Sequence, residues 1–183
     1  MRVIAGSRRS LPLKAPKGMD TRPTQDRTKE TLFNIIQNDI YDANFLDLFA
    51  GSGGISIEAL SRGARHATLV DNNQNAIACI KENLKFTHFE EQAELLTSDV
   101  FSVLKRNVFE EPFNIIFMDP PYKAGYEPEI MKILSHASYV TKDTLIIIEA
   151  SLDTSLDFIE NNNFQIIRAK KYKTNQHIFI KRS

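Results

Sequence analysis

The chain reads as an α/β protein built on a doubly wound, mostly parallel sheet. Three observations predict this. Short apolar runs alternate with helix-period segments through the middle of the chain. A glycine-rich turn separates the first apolar run from the helix after it. Three successive apolar runs end in an aspartate. At 183 residues, 42% hydrophobic and 25% charged, the chain suits one domain with a sizeable core.

The elements follow in order. "RVIAG" and "LPLKA" predict a small hairpin. "TRPTQDRTKETLFNIIQN" predicts a helix entered after Pro23, with Thr24 as N-cap. Arg27 stands where a capping box would want Glu. "NFLDLFA" (44–50) predicts a strand and "ISIEALSRG" (55–63) a helix. "HATLVD" (66–71) precedes "NQNAIACIKENLKF" (73–86), where Ala76, Ile77, Ile80 and Leu84 share one helical face. "AELLTSD" (93–99) leads into "VFSVLKR", and "FNIIFMD" (113–119) into "PEIMKILSHA". "TLIIIEA" (144–150) leads into the short helical pattern "SLDFIENN". "FQIIRAKKY" (164–172) and "NQHIFIKR" (175–182) predict an antiparallel pair turning near Lys173-Thr174. The expectation is seven strands in one domain, 1–183. Residues 1–40 form a basic extension and 41–183 the core.

The zero net charge conceals a pattern. Residues 1–30 hold eight basic and three acidic residues, and residues 168–183 hold six basic residues and no acid. Two basic ends on an acidic body suit a polyanion surface. No apolar run reaches bilayer length, and "MRVIAGSRRSLPLK" lacks the apolar core of a signal peptide, so a cytoplasmic protein is expected. One cysteine, Cys79, allows no internal disulfide and no Cys-based zinc cluster. It lies mid-helix among apolar neighbours, as a core residue does. His66, His88, His136 and His177 are scattered, so no metal site is expected, and His177 is expected at the surface.

"LDLFAGSGGIS" (46–56) places Gly51, Gly53 and Gly54 between strand and helix without the dinucleotide spacing of a nicotinamide site. Asp71, Asp99 and Asp119 each close an apolar run. In an open α/β sheet, ligands bind outside the carboxyl ends of the strands. Asp71 follows Gly51 by 20 residues, the separation of an acid that accepts from ribose hydroxyls. Asp99 is placed to accept from an exocyclic adenine amine. No lysine in the turn answers to phosphates, so the nucleoside cofactor that fits is S-adenosylmethionine. "NIIFMDPPYKAG" (114–125) adds an acid and two prolines at a strand end, with a tyrosine behind them.

"LDLFAGSGG", "VDNN", "TSDVF" and "MDPPY", in this order, resemble the motifs of Rossmann-like class I S-adenosylmethionine-dependent methyltransferases. "MRVIAG", "TRPTQDRTKETLFNII" and "DLFAGSGGISIEALSRGA" are similar to a narrower family, the RsmD-like methyltransferases that act on guanine N2 of small-subunit (16S) ribosomal RNA. The resemblance runs from Met1 to about Glu149 and is loose beyond. It implies cofactor binding by Asp47, Gly51, Gly53, Asp71 and Asp99, with Arg22 and Thr24 near the methionine end. It implies catalysis at Asp119, Pro120, Pro121 and Tyr122.

The expected mechanism is direct displacement aided by positioning. Asp119 and the Pro120 carbonyl accept from the amine, Pro121 fixes the loop, and Tyr122 stacks on an unpaired or flipped base. Arg2, Arg8, Arg9, Lys14 and Lys17 are expected on phosphates, which position without specifying sequence. The expected partner is 16S rRNA in a small subunit or assembly intermediate, met by a monomer. The alternatives are an adenine-N6 or cytosine-N4 methyltransferase, a non-catalytic nucleoside- or RNA-binding module, and, disfavoured by its glycine spacing, an NAD-dependent dehydrogenase.

Overall fold

The computed structural model describes residues 1–16, 23–106, 109–121 and 124–183, without the side chains of residues 23–25. Arg22, Lys17 and Tyr122 therefore lie outside the described residues, and of Thr24 only the backbone is described.

Seven strands form one sheet: β1 (Asn44–Asp47), β2 (His66–Val70), β3 (Ala93–Leu96), β4 (Ile115–Met118), β5 (Leu145–Ser151), β6 (Phe164–Lys171) and β7 (Asn175–Arg182). Among the described residues six α-helices accompany them: α1 (Pro23–Ile35), α2 (Gly54–Ser61), α3 (Gln74–Thr87), α4 (Val100–Arg106), α5 (Glu127–Leu134) and α6 (Asp157–Glu160). The sheet order is β3-β2-β1-β4-β5-β7-β6. The first five strands run parallel, and β7 pairs antiparallel with both β5 and β6. The seven-stranded α/β sheet with an antiparallel C-terminal pair is thus as expected, except that the last strand inserts between β5 and β6.

Strict alternation along the strands feeds two apolar cores. Phe45, Ile115, Phe117, Leu145, Ile147 and Phe179 face one; Leu46, Ile116, Met118, Ile146, Ile148 and Ile180 face the other. Both faces are covered by helices, so the central strands read as unbroken apolar runs.

Two local expectations are corrected. The first helix begins at Pro23, so Thr24 is inside its first turn and is not the cap. Proline suits the first helical position because its missing N–H would have no partner there. "NFLDLFA" is a strand only to Asp47. Beyond it the chain leaves the ladder, with the Leu48 N–H on Phe117 O and the Ala50 N–H on Val70 O.

The N-terminal segment folds back as a loop closed by one antiparallel bridge, Arg2 to Pro12. Val3 and Leu13 enter the same core as Phe33, Phe45 and Ile57. A buried carboxylate on α2 holds this segment down. Glu58 accepts from the Ile4 N–H at 2.7 Å, the Ala5 N–H at 3.0 Å and Arg62 Nε at 2.8 Å, with Lys29 Nζ at 3.4 Å. Lys29 also donates to Arg2 O at 2.6 Å. A buried charge is tolerable only when paired and hydrogen-bonded, as Glu58 is. Gly6, at φ +82°, lets this loop touch α2: a Cβ there would lie 1.7 Å from Ser61 O.

Glu58→Ala should therefore destabilise the fold by about 3–5 kcal/mol in denaturant titrations, because the buried Lys29 and the half-buried Arg62 lose their shared partner. A loss below about 1 kcal/mol would assign the clamp to apolar packing alone.

Candidate active site

The carboxyl ends of the parallel strands form one rim, and acids occupy it in sequence across the sheet. From β3 to β5 they are Asp99, Asp71, Asp47, Asp119 and Glu149.

Asp71 ties down the glycine turn. Its Oδ2 accepts from the Gly51 N–H at 2.8 Å and its Oδ1 from the Asn73 N–H at 2.8 Å. Gly51 has φ +58°, and a Cβ there would meet nothing within 4 Å, so this backbone faces open space. Gly53, at φ +74°, turns inward, where a Cβ would lie 3.2 Å from Leu69 Cδ2. Asp99 is exposed and caps α4, accepting from the Ser102 N–H at 3.1 Å.

Asp47 lies behind the turn with no open surface, and its Oδ2 accepts from Ser56 Oγ at 2.8 Å. Its Oδ1 is buried without a well-formed hydrogen bond. Burial pushes this carboxyl from 3.8 up to about 7; the Ser56 hydroxyl opposes the push, Asp71 adds to it, and the Phe49 and Ser56 amides restrain it weakly.

Asp119 follows β4 and Pro120 is buried beside it, while Pro121 O accepts from the Ala124 N–H at 3.0 Å and closes the turn. Surrounding protein pushes the Asp119 carboxyl well up, and the charges of Glu149 and Asp47 push the same way. Asp119 nevertheless presents open surface to the cleft, so solvent screening offsets part of this push. Asp119 and Pro120 line a cavity of about 590 Å³ with Glu149, Ser151, Thr174 and Asn175. That volume suits a planar base.

Sequence reasoning missed two parts of this rim. Glu149 ends the apolar run "TLIIIE" by the same rule that singled out the three aspartates. His177, expected at the surface, is 1% exposed. It is buried because β7 lies between β5 and β6, and the antiparallel register sets it opposite Glu149. Its Nε2 lies 3.0 Å from Glu149 Oε2 and its Nδ1 3.0 Å from Tyr172 Oη. An aromatic group also borders the rim: Tyr126 stacks on Phe49 at 6.3 Å and meets Phe101 edge-on at 5.2 Å.

The basic residues of the extension are largely engaged. Arg8 Nε donates to Thr87 O at 2.7 Å, with its guanidinium over Phe89. Lys14 pairs with Glu82 at 2.8 Å and Arg2 with Asp26 at 3.9 Å. Arg9 is exposed and makes no side-chain contact of this kind with a described residue. Cys79 is buried, its thiol 3.3 Å from Lys14 O. Among the described residues no group of His, Cys, Asp and Glu is arranged to hold a metal ion, and no helix is long and apolar enough to cross a membrane.

Sheet order, helices on both faces and an acid-lined rim beside a glycine turn define a Rossmann-like methyltransferase fold. The family model described as Conserved hypothetical protein 95 matches residues 1–181, and the chain belongs to this family of RsmD-like methyltransferases. It is 39% identical over 157 residues to YlbH of Bacillus subtilis, covering 85% of each chain. It is 35% identical over 162 residues to ribosomal RNA small subunit methyltransferase D of Escherichia coli, covering 88% of this chain and 80% of that one. The solved structure of yhhF from Escherichia coli superposes with a TM-score of 0.86 at 33% identity, covering 100% of this chain and 98% of that one.

The state of Asp47 sets a pH dependence of stability. Its raised native pKa means that the unfolded chain gives up this proton first, so stability is whole below about pH 4 and falls as pH rises through 7. Asp47→Asn removes that loss. The variant should be the more stable by on the order of 2–4 kcal/mol above pH 7, with the gap closing near pH 4. Thermal unfolding across that range measures it, and a pH-independent gap would contradict the assignment.

Proposed function

We propose that this protein transfers a methyl group from S-adenosylmethionine to the exocyclic N2 amine of a guanine in small-subunit (16S) ribosomal RNA. The observation that carries this reading is the pair of acceptors at the end of β4, Asp119 and Pro120, lining an open cavity of about 590 Å³, on the strand next to the one that leads into the glycine turn. The names of the relatives support the RNA, and the "MDPPY" stretch supports an amine as the target.

The rim fits the cofactor. Asp71 keeps lone pairs for ribose hydroxyls while its present bonds fix the turn. Gly51 presents open backbone and Asp99 an exposed carboxylate, and Phe49 and Phe101, both packed on Tyr126, give that side of the rim an apolar border. No lysine of the turn calls for phosphate. Asp47 supports from behind through Ser56, and Arg22 and Thr24 belong to the methionine end by resemblance. The bound cofactor supplies an electrophilic methyl on a sulfonium.

An exocyclic amine is a poor nucleophile because its lone pair is delocalised into the ring. Asp119 and the Pro120 carbonyl take its two N–H groups and leave lone-pair density directed at the methyl. Pro121 lacks an N–H and limits the loop to one course. As the amine gains the methyl and positive charge, Asp119 stabilises it and its carboxylate then takes the surplus proton, which the crowding of Asp119 by Glu149 and Asp47 favours. Tyr122 stacks on the base, which holds it in line for transfer.

Phosphate contacts are assigned to Arg2, Arg8, Arg9, Lys14 and Lys17 and extended to the far edge of the sheet. β6 is an exposed edge strand carrying Arg168, Lys170 and Lys171. Its register sets Lys170 opposite His177 and Lys171 opposite Gln176, so these lysines and Lys173 flank the mouth of the cavity lined by Thr174 and Asn175. The protein works as a monomer in the cytoplasm, on a small subunit or its assembly intermediate, without a metal.

Labelled methyl transfer to small-subunit RNA or particles, followed by nucleoside digestion, tests the reading. Label is expected in N2-methylguanosine; label in N6-methyladenosine overturns the substrate. Asp119→Ala should abolish turnover and leave cofactor affinity nearly unchanged, and a variant with full rate would remove its role.

Replacing Lys170, Lys171 and Lys173 by glutamine should weaken RNA binding and reduce the slope of log K against log salt by roughly 2. Binding titrations from low to high salt measure it. An unchanged slope would leave the phosphate contacts to the N-terminal extension.

A further inference from the structure

Five acids border the rim, and Glu149 is the one to which the reading above gives no contact with cofactor or base. It faces the same cavity as Asp119. The parallel register pairs Met118 with Ile148, so Asp119 and Glu149 come next on adjacent strands, level with each other. Adjacent strands lie about 4.8 Å apart, which brings both carboxylates within reach of one base.

Glu149 is also held in one orientation. The Asn175 amide donates to its Oε1 and His177 Nε2 to its Oε2 at 3.0 Å. A carboxylate only accepts, so Nε2 carries the proton and Nδ1 accepts from the Tyr172 hydroxyl at 3.0 Å. Burial pushes that phenol up to about 12, with Glu149 adding to the push, so Tyr172 keeps its proton to donate. Each Glu149 oxygen retains a second lone pair, and 24% of the side chain is open. Such a fixed acceptor beside an amine-binding pair discriminates between bases. In guanine the ring atom next to the amine on the Watson–Crick edge is N1–H, a donor. In adenine (N1) and cytosine (N3) it is a lone pair, which a carboxylate repels.

We propose that Glu149 is the specificity-determining residue of the base pocket, accepting from guanine N1–H while Asp119 and Pro120 hold the 2-amine. This rests on the reading of the protein as a base-amine methyltransferase and supplies the choice of guanine within it. His177, Tyr172 and Asn175 are positioning residues that act through Glu149.

The test uses 2-aminopurine, which keeps the 2-amine and replaces N1–H by a lone pair. The nucleotide labelled by the parent protein is mapped first, and small-subunit RNA is then prepared with guanine or 2-aminopurine at that position. The parent protein should favour guanine by at least about 100-fold in kcat/KM. In Glu149→Gln the carboxamide can turn an N–H towards the lone pair. The preference should contract to within about 10-fold, with cofactor affinity unchanged. A parent protein that methylates both bases equally overturns the proposal, as does a Glu149→Gln variant that keeps the full preference. The parent comparison stands even if the variant fails to fold. Label in N6-methyladenosine with the parent would overturn the guanine reading itself, and Glu149's role with it. Label in N2-methylguanosine without discrimination would remove Glu149 alone.

Discussion

The structure depends on how it accommodates negative charge at one edge of a parallel sheet. Parallel strands bring their carboxyl ends together, and here each delivers an acid to the same rim. Carboxylates this crowded are unfavourable without donors. The fold supplies them unequally: Asp71 receives two backbone amides, Asp47 one hydroxyl, and Glu149 an imidazole and an amide, whereas Asp119 has no hydrogen bond to a described residue. The acids with partners build the walls of the site. Asp119, to which no described residue donates, is the acid assigned to the incoming amine, where free accepting capacity is useful.

The same reasoning explains the N-terminal segment. It adds no strand to the sheet, and a single bridge would not hold it. Glu58 gathers two amides and two cations from three parts of the chain onto α2, and Gly6 lets the loop lie against Ser61. Asn83 extends the connection to the glycine turn, its amide donating to both Lys14 O and Ser52 O. The basic extension is thus tied to the glycine-turn side of the rim. The cations of β6 and of the turn after it border the opposite side, so a polyanion laid across the mouth would meet positive charge at both ends.

Much of this was legible because it rests on local rules. Two-residue alternation and helical spacing located the elements within a few residues, and the glycine turn and three terminal aspartates located the rim. Thr24 was misassigned because Pro23 is itself a good first helical residue. His177 was misread because "NQHIFIKR" looks the same at an edge or in the middle of a sheet. Its burial follows from β7 lying between β5 and β6. Glu149 obeyed the rule applied to the aspartates and was passed over, since its partner across the sheet is 28 residues away.

By itself, then, the sequence determined the α/β class, the seven strands, the glycine turn and the acids that end the apolar runs. Each of these is written in nearest neighbours and short periodicities. Only the tertiary structure decided which acids stand side by side, which are neutralised by donors, and that a histidine near the end of the chain is packed against Glu149. Strand order and antiparallel register set those relations, and they depend on which apolar faces pack together rather than on any short stretch of residues.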